Sequence, residues 1–298
     1  MKKVIITGAD GFIGSSLVQK MIANNVAVIA VDVNFASGHL PESDLVTRIQ
    51  SSADKSLVDK IPDGEYDAFY HLAWRGVNGV EKANPSIQLS NIQMAVDCAD
   101  TCKKLGANKF LCAGTVSENA TFSLSELDRI SGGMIYGVAK HACRQIIEAY
   151  CKHIEQKFVW MQFANIYGVG NRTGNLVSYT LGELLAGKDA TFGPALQPYD
   201  FIYIDDLVEA IYRIGLNVTP KVFYYIGSGS PRILKDYLIR IGELAGCVEK
   251  VCLDKRPDDG IRYSIELFDS SDLVETIGEY AITDFDEGIS RTIKWLKM

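Results

Sequence analysis

The first half of the chain alternates unbroken apolar runs with segments of helical period, and this alternation constrains the fold more than any other feature. "KVIIT" is followed by "GFIGSSLVQKMIANN" and then by the apolar run "VAVIAVD". "YDAFYHLA" precedes a helical stretch from about Asn84 to Leu105, "NKFLCAG" precedes "YGVAKHACRQIIEAYCKH", and "KFVWMQFA" closes the series. A strand that is apolar at every position has both faces covered, and strands separated by helices run parallel. The pattern predicts an α/β fold built on a doubly wound parallel sheet. After about Asn165 it loosens into shorter elements between the glycine-containing loops "GVGNRTGN", "GPALQPYD" and "GSGSPR". Residues 1–165 are therefore expected to form the sheet domain, and 166–298 a smaller lobe that exchanges segments with it.

Charge and cysteine usage exclude several classes. The net charge of −7 and the absence of any basic cluster longer than Lys103-Lys104 speak against nucleic acid. The opening "MKKVIITG" is too short an apolar run for a signal peptide. No stretch approaches the roughly 18 apolar residues that span a bilayer, so no membrane partner and a cytoplasmic location are expected. The seven cysteines form no C-x-x-C and the four histidines are scattered. Buried reduced thiols are expected, and no metal.

The loop "TGADGFIG" follows the first strand and opens the first helix. Gly8, Gly11 and Gly14 let backbone approach a pyrophosphate at the helix N-terminus, where free N–H groups and the helix dipole favour an anion. The second strand ends in Asp32, 18 residues after Gly14. A carboxylate there accepts hydrogen bonds from ribose hydroxyls and repels a 2′-phosphate, which favours NAD over NADP. Farther along, Tyr136 and Lys140 in "YGVAK" stand four residues apart where a helix begins. That spacing puts phenol and ammonium on one helix face, although any amphipathic helix can carry the same pair.

With these motifs the chain resembles the extended short-chain dehydrogenase/reductase family, in its sugar-nucleotide epimerase/dehydratase branch. "TGADGFIG" is similar to the branch's T-G-x-x-G-F-I-G loop, "HLAW" to its H-L-A-A segment, "NPSIQLSNIQMAVDCA" to its N-P-x(6)-N helix, here with five residues between Pro85 and Asn91, and "YGVAK" to its Y-x-x-x-K. "FANIYGVG" resembles F-N-x-Y-G, "YDFIYIDDLVEAI" the R-D-F-x-x-V-x-D segment, "KRPDDG" the R-P-G-D segment, and "FDEGISRTIKWLK" the C-terminal helix. The resemblance covers nearly the whole chain. It implies a Rossmann fold with a smaller C-terminal substrate-binding lobe and a homodimer paired through the helices 84–105 and 136–153, where Met94, Ile147 and Tyr150 are candidate interface positions, with packing on the sheet as the equal alternative. NAD is the implied cofactor, held by Gly8, Gly11, Phe12, Ile13, Gly14, Asp32, Asp54, Leu72, Ala73, Trp74, Tyr136, Lys140 and Phe163.

The same resemblance implies that Tyr136 exchanges a proton with a sugar hydroxyl. Lys140 would lower the phenol's pKa and bond the nicotinamide ribose, while Thr115 would bond the reacting oxygen. The implied substrate is a nucleotide sugar, contacted by Asn165, Arg172, Asn175, Tyr199, Arg256 and Asp259. For these residues a cap, a turn or a surface charge is the alternative role.

Departures narrow the activity. Thr115 is followed by Val116 and Ser117 rather than an Asp-Glu pair, and Glu118 stands one place too far along, which argues against dehydration. Tyr199 and Gln162 replace two arginines of the branch, and Arg172 is a candidate to compensate. Trp74 would fill space above the nicotinamide, shape the sugar pocket, or simply pack. The expected activity is NAD-dependent oxidoreduction of a sugar nucleotide at C4, as in a UDP-hexose 4-epimerase. The alternatives are a 4-keto-6-deoxysugar-nucleotide reductase using NAD(P)H and a non-catalytic NAD-binding regulator.

Overall fold

The computed structural model describes residues 1–126, 130–258 and 263–298. Seven parallel strands form the central sheet: β1 (Lys3–Thr7), β2 (Ala27–Asp32), β3 (Val46–Gln50), β4 (Ala68–His71), β5 (Phe110–Thr115), β6 (Phe158–Phe163) and β7 (Phe223–Ile226). Their order across the sheet is β7-β6-β5-β4-β1-β2-β3. The order reverses between β1 and β4, and in open α/β sheets a ligand crevice lies beyond the carboxyl ends of the strands at such a point. Thr7 pairs with His71 and Thr115 with Phe163, so strand ends that carry predicted site residues finish on one rim.

The continuous apolar strands are explained by two core layers. Val4 and Ile6 belong to the core layer that also buries helices α1 (Phe12–Ala23) and α5 (Ile204–Leu216), and that layer extends to α4 (Leu176–Leu185). Ile5 and Ile29 face α2 (Pro85–Lys104) and α3 (Gly133–His153) on the other. Each fully buried side chain of this kind stabilises the fold by about 1.5–3 kcal/mol. Five cysteines, Cys98, Cys102, Cys112, Cys143 and Cys151, are buried in the α2/α3 layer as small hydrophobes, and all seven are free thiols.

The helix carrying Tyr136 begins at Gly133, so Tyr136 lies in its first turn. One candidate interface position needs correction. Ile147 is fully buried against the sheet, with Cys143 and Cys151 beside it on the inward face, and is not available to a partner subunit. The outward apolar residues of the two helices are instead Leu89, Val138 and Ile146.

The second half returns β7 to the edge of the sheet beside β6 and packs α5 against α1. It also builds short pairs, among them Asn165–Tyr167 with Phe201–Tyr203 and Pro198–Tyr199 with Arg232–Ile233. No helix among the described residues is long and apolar enough to cross a membrane.

Candidate active site

The glycine loop is shaped by close approach. Gly8 has φ +72°, and a Cβ there would lie 2.7 Å from the Ala73 backbone nitrogen. A Cβ on Gly14 would lie 2.0 Å from the Gly8 carbonyl oxygen. The first loop therefore folds onto both its own helix and the Leu72-Ala73 segment that follows β4. Gly11 is the N-cap of α1 and supplies no side-chain cap, and the first turn carries no acidic residue. The N–H groups of Phe12, Ile13 and Gly14 are left to an anion.

Asp32 is anchored at the end of β2. Its Oδ2 accepts from the Asp10 backbone N–H at 2.9 Å and its Oδ1 from Val33 at 2.7 Å. Burial raises its pKa, and the nearby Asp10 carboxylate adds to the effect. Asp10 accepts from the Ser37 N–H through Oδ2, while its buried Oδ1 has no partner among the described residues. A ribose hydroxyl is a donor that this oxygen lacks, so the cradle fits NAD. Asp54 spends its carboxylate on its own turn, accepting from the Ser56 N–H at 2.8 Å and hydroxyl at 2.6 Å, which holds its pKa low.

The three predicted catalytic residues come together at the end of β5. The Thr115 side chain lies close enough to Tyr136 to favour its phenolate. One turn on, the Lys140 ammonium donates to the Ala113 carbonyl at 2.7 Å and lies 3.7 Å from the centroid of the Trp74 ring. Trp74 also meets the Tyr136 ring edge-on, with centroids 6.2 Å apart, so it roofs both groups. From the other side, Lys82 places its ammonium 5.0 Å from the Tyr136 ring centroid.

Helix α2 holds this roof. Asn84 caps it and Pro85 opens it. Gln88 then accepts from the Trp74 indole N–H at 2.8 Å and donates to the Gly76 carbonyl at 2.9 Å. Asn91 accepts from the Arg75 N–H and donates to its carbonyl, each at 2.9 Å. His71, at the end of β4, shares a hydrogen bond of 2.9 Å with Thr7, and burial with Lys140 nearby pushes its pKa down to about 3.

The electrostatics run against one expectation. The Tyr136 phenol is held above its ordinary value, not below it. Burial is the main cause, and the charge of Glu118 acts the same way against the opposing effect of the Thr115 side chain. Burial also lowers the pKa of Lys140, partly offset by Cys112, Cys143 and Glu118.

Glu118 itself is 1% exposed and bonds inward to Trp160 and Gln162 of β6. Sequence reasoning missed its role, together with Lys82, Gln88, Asn91 and Asp10. The N-P-x(6)-N match ran through Gln88 and Asn91 and was the one available signal.

The substrate-side residues fall into two groups. Arg172, Asn175 and Arg256 line a cavity of about 620 Å³ with Tyr179 and Trp295. Arg256 donates to the Tyr179 hydroxyl at 2.7 Å and to the Thr191 hydroxyl at 3.0 Å. Asn175 caps α4 by accepting from the Ser178 N–H at 2.8 Å and donates to the Ile166 carbonyl at 2.7 Å. Asn165 forms a separate pair, accepting from the Tyr199 hydroxyl at 2.9 Å. Gln162 turns its amide to Glu118 and Asn119, and Phe163 is buried at the end of β6. Asp259 lies outside the described residues.

Comparison with known proteins places this site in context. The chain is 23% identical over 318 residues to UDP-glucose 4-epimerase of Mycolicibacterium smegmatis, covering 99% of this chain and 98% of the relative. It is 25% identical over 247 residues to dTDP-4-dehydro-6-deoxyglucose reductase of Escherichia coli, covering 78% of each. Its fold matches the crystal structure of UDP-glucose 4-epimerase with UDP-glucose from Thermotoga maritima with a TM-score of 0.82, at 22% identity, covering 99% of this chain and 98% of that one. Residues 4–227 match the model of the NAD dependent epimerase/dehydratase family. With the dinucleotide cradle and the Thr115, Tyr136 and Lys140 cluster in register, the chain is an NAD-dependent enzyme and belongs to that family.

Proposed function

We propose that this enzyme oxidises and re-reduces C4 of a sugar nucleotide, acting as a 4-epimerase with Tyr136 as the proton-transfer group. The observation that carries the reading is the gathering of Tyr136, Thr115 and Lys140 under the Trp74 ring, on the rim where the glycine cradle opens. A bound NAD supplies the hydride acceptor and, on return, the hydride donor. A hydroxyl gives up hydride only if its proton leaves too. Tyr136 accepts that proton at its phenolic oxygen and later returns it to the carbonyl oxygen, while the Thr115 hydroxyl bonds the same oxygen. The Lys140 ammonium, one helical turn away, favours the phenolate and offsets part of the penalty of the dry pocket.

Arg172 and Arg256 supply the positive charge of the substrate cavity and suit the diphosphate of a nucleotide sugar. In this reading residues 166–298 form the substrate lobe. The protein pairs as a homodimer through the outer faces of α2 and α3, which expose Leu89, Val138 and Ile146. Sedimentation as a monomer at micromolar concentration would refute the dimer.

A second reading, a 4-keto-sugar reductase, is favoured by Gln162 and Tyr199. The side chains at these two positions are committed to Glu118 and Asn165, and neither offers a guanidinium. Purification followed by an absorbance spectrum separates the two. Tightly retained NAD with interconversion of UDP-glucose and UDP-galactose, without added cofactor, supports the epimerase. Exchangeable cofactor with consumption of NADH on a keto-sugar nucleotide supports the reductase. Neither activity across UDP-, dTDP-, GDP- and CDP-sugars would refute both.

A further inference from the structure

Glu118 is a buried carboxylate directly behind the reacting groups that the mechanism above leaves without a role. Its Oε1 accepts from the Thr115 backbone N–H at 2.7 Å. The Trp160 indole N–H lies 3.2 Å from both carboxylate oxygens, and the Gln162 amide donates to Oε2 at 3.3 Å. Every one of these partners is a donor. Burial raises the Glu118 pKa, and the Thr115 N–H, the Lys140 charge, Gln162 and Trp160 act against that rise; a carboxylate accepts such a set of donors, whereas a protonated acid would need an acceptor for its own O–H.

The surroundings are built to admit it. A Cβ on Gly114 would lie 2.2 Å from the Trp160 indole nitrogen and 2.8 Å from Glu118 Oε1, so only glycine fits there. The Trp160 ring that donates to Glu118 also lies 6.0 Å from the Lys140 ammonium. One aromatic ring thus touches both charges.

We propose that Glu118 is a positioning residue of the reaction, fixing Thr115 through its backbone N–H and supplying the counter-charge of the buried Lys140 ammonium. The inference rests on the proposed roles of Thr115, Tyr136 and Lys140. Its two parts are separable. The tie to Thr115 sets where the threonine hydroxyl stands beneath the reacting oxygen. The charge sets the pH at which Tyr136 gives up its proton, because a carboxylate opposes a phenolate nearby.

The other groups around this proton are Lys82 from the 3₁₀ turn before α2, facing the Tyr136 ring, and Cys112 of β5 and Cys143 of α3, facing Lys140. His71 of β4 completes the set and is held neutral. None of these is a carboxylate, which leaves Glu118 to balance Lys140 among the described residues.

Two variants test the parts. Glu118→Gln keeps the size and an oxygen for the Thr115 N–H but removes the charge. Glu118→Asp keeps the charge but draws it back from Thr115 by one methylene. The first readout is the phenolate difference absorbance of Tyr136 in the NAD complex, measured against Tyr136→Phe, which needs no substrate. The second is the plateau kcat on whichever sugar nucleotide turns over.

Glu118→Gln should shift the phenolate midpoint to lower pH by about one unit. Glu118→Asp should keep the midpoint and lower the plateau about tenfold. A residue that merely fills the core would lower the melting temperature in both variants and move neither readout. That result, or an unchanged or alkaline-shifted midpoint in Glu118→Gln, overturns the proposal. If no sugar nucleotide turns over, the functional reading fails, while the phenolate titration still decides the charge of Glu118.

Discussion

Replacing Asp32 by Asn should erode the preference for NAD over NADP. The carboxylate is held rigidly by the Asp10 and Val33 N–H groups, so it cannot swing away from a 2′-phosphate. Two unit charges at about 4 Å repel by about 4 kcal/mol at an effective dielectric of 20. Asp32 is half-buried, and screening through its open side brings this to about 2–3 kcal/mol. At 1.4 kcal/mol per factor of ten, the wild type should bind NAD at least about 30-fold tighter than NADP. The amide of Asn keeps an oxygen for the Asp10 N–H but carries no charge, and the preference should fall below about tenfold. Calorimetric titration of both cofactors at one ionic strength reads this directly. Equal affinities in the wild type, or an undiminished preference in Asp32→Asn, would refute the account of the cradle.

Three further outcomes follow from particular contacts. Gly114→Ala forces a methyl into the Trp160 indole and should destabilise the fold by about 1–3 kcal/mol, read as a lower urea midpoint with an unchanged slope. Arg172→Ala and Arg256→Ala should each raise KM for the sugar nucleotide about tenfold and leave NAD affinity unchanged; a selective fall in NAD affinity would move that cavity to the cofactor. His71 is buried neutral, with a pKa pushed down to about 3 against about 6.5 unfolded. The unfolded chain therefore binds the extra proton, and stability from this group is lost as pH falls from about 6.5 toward 3, by up to about 1.4 kcal/mol per unit. His71→Leu should flatten that slope in urea melts from pH 7 to pH 5, and an unchanged slope would contradict it.

The strands that could be read in the sequence were those buried on both faces, such as "KVIIT" and "KFVWMQFA", because continuous burial leaves a continuous apolar run. The edge strand β3, "VTRIQ", is half-exposed and polar, and its run carries no such signal. Gly133 opens α3 although glycine is a weak helix former, because tertiary packing overrides propensity. In the site, Thr115, Tyr136 and Lys140 were visible because their chemistry depends on short spacings along the chain. Gln88 and Asn91 act across 14 to 16 residues on the loop at Trp74 and Arg75, and contacts of that range leave no local pattern. Glu118 stood in plain view, but its inward direction depends on Gly114 and Trp160 making room.

The central claim is that Tyr136 moves the proton, and Tyr136→Phe tests it most directly. The change removes one hydroxyl beside Thr115 and leaves the ring packed between Trp74 and Lys82. The fold and NAD affinity should survive, while kcat should fall about 10²–10⁴-fold, the usual contribution of a general acid–base group. Steady-state kinetics on the active sugar nucleotide, paired with an NAD titration of the same preparation, measures both. Turnover near the wild-type rate would show that the tyrosine and lysine share a helix face for packing alone.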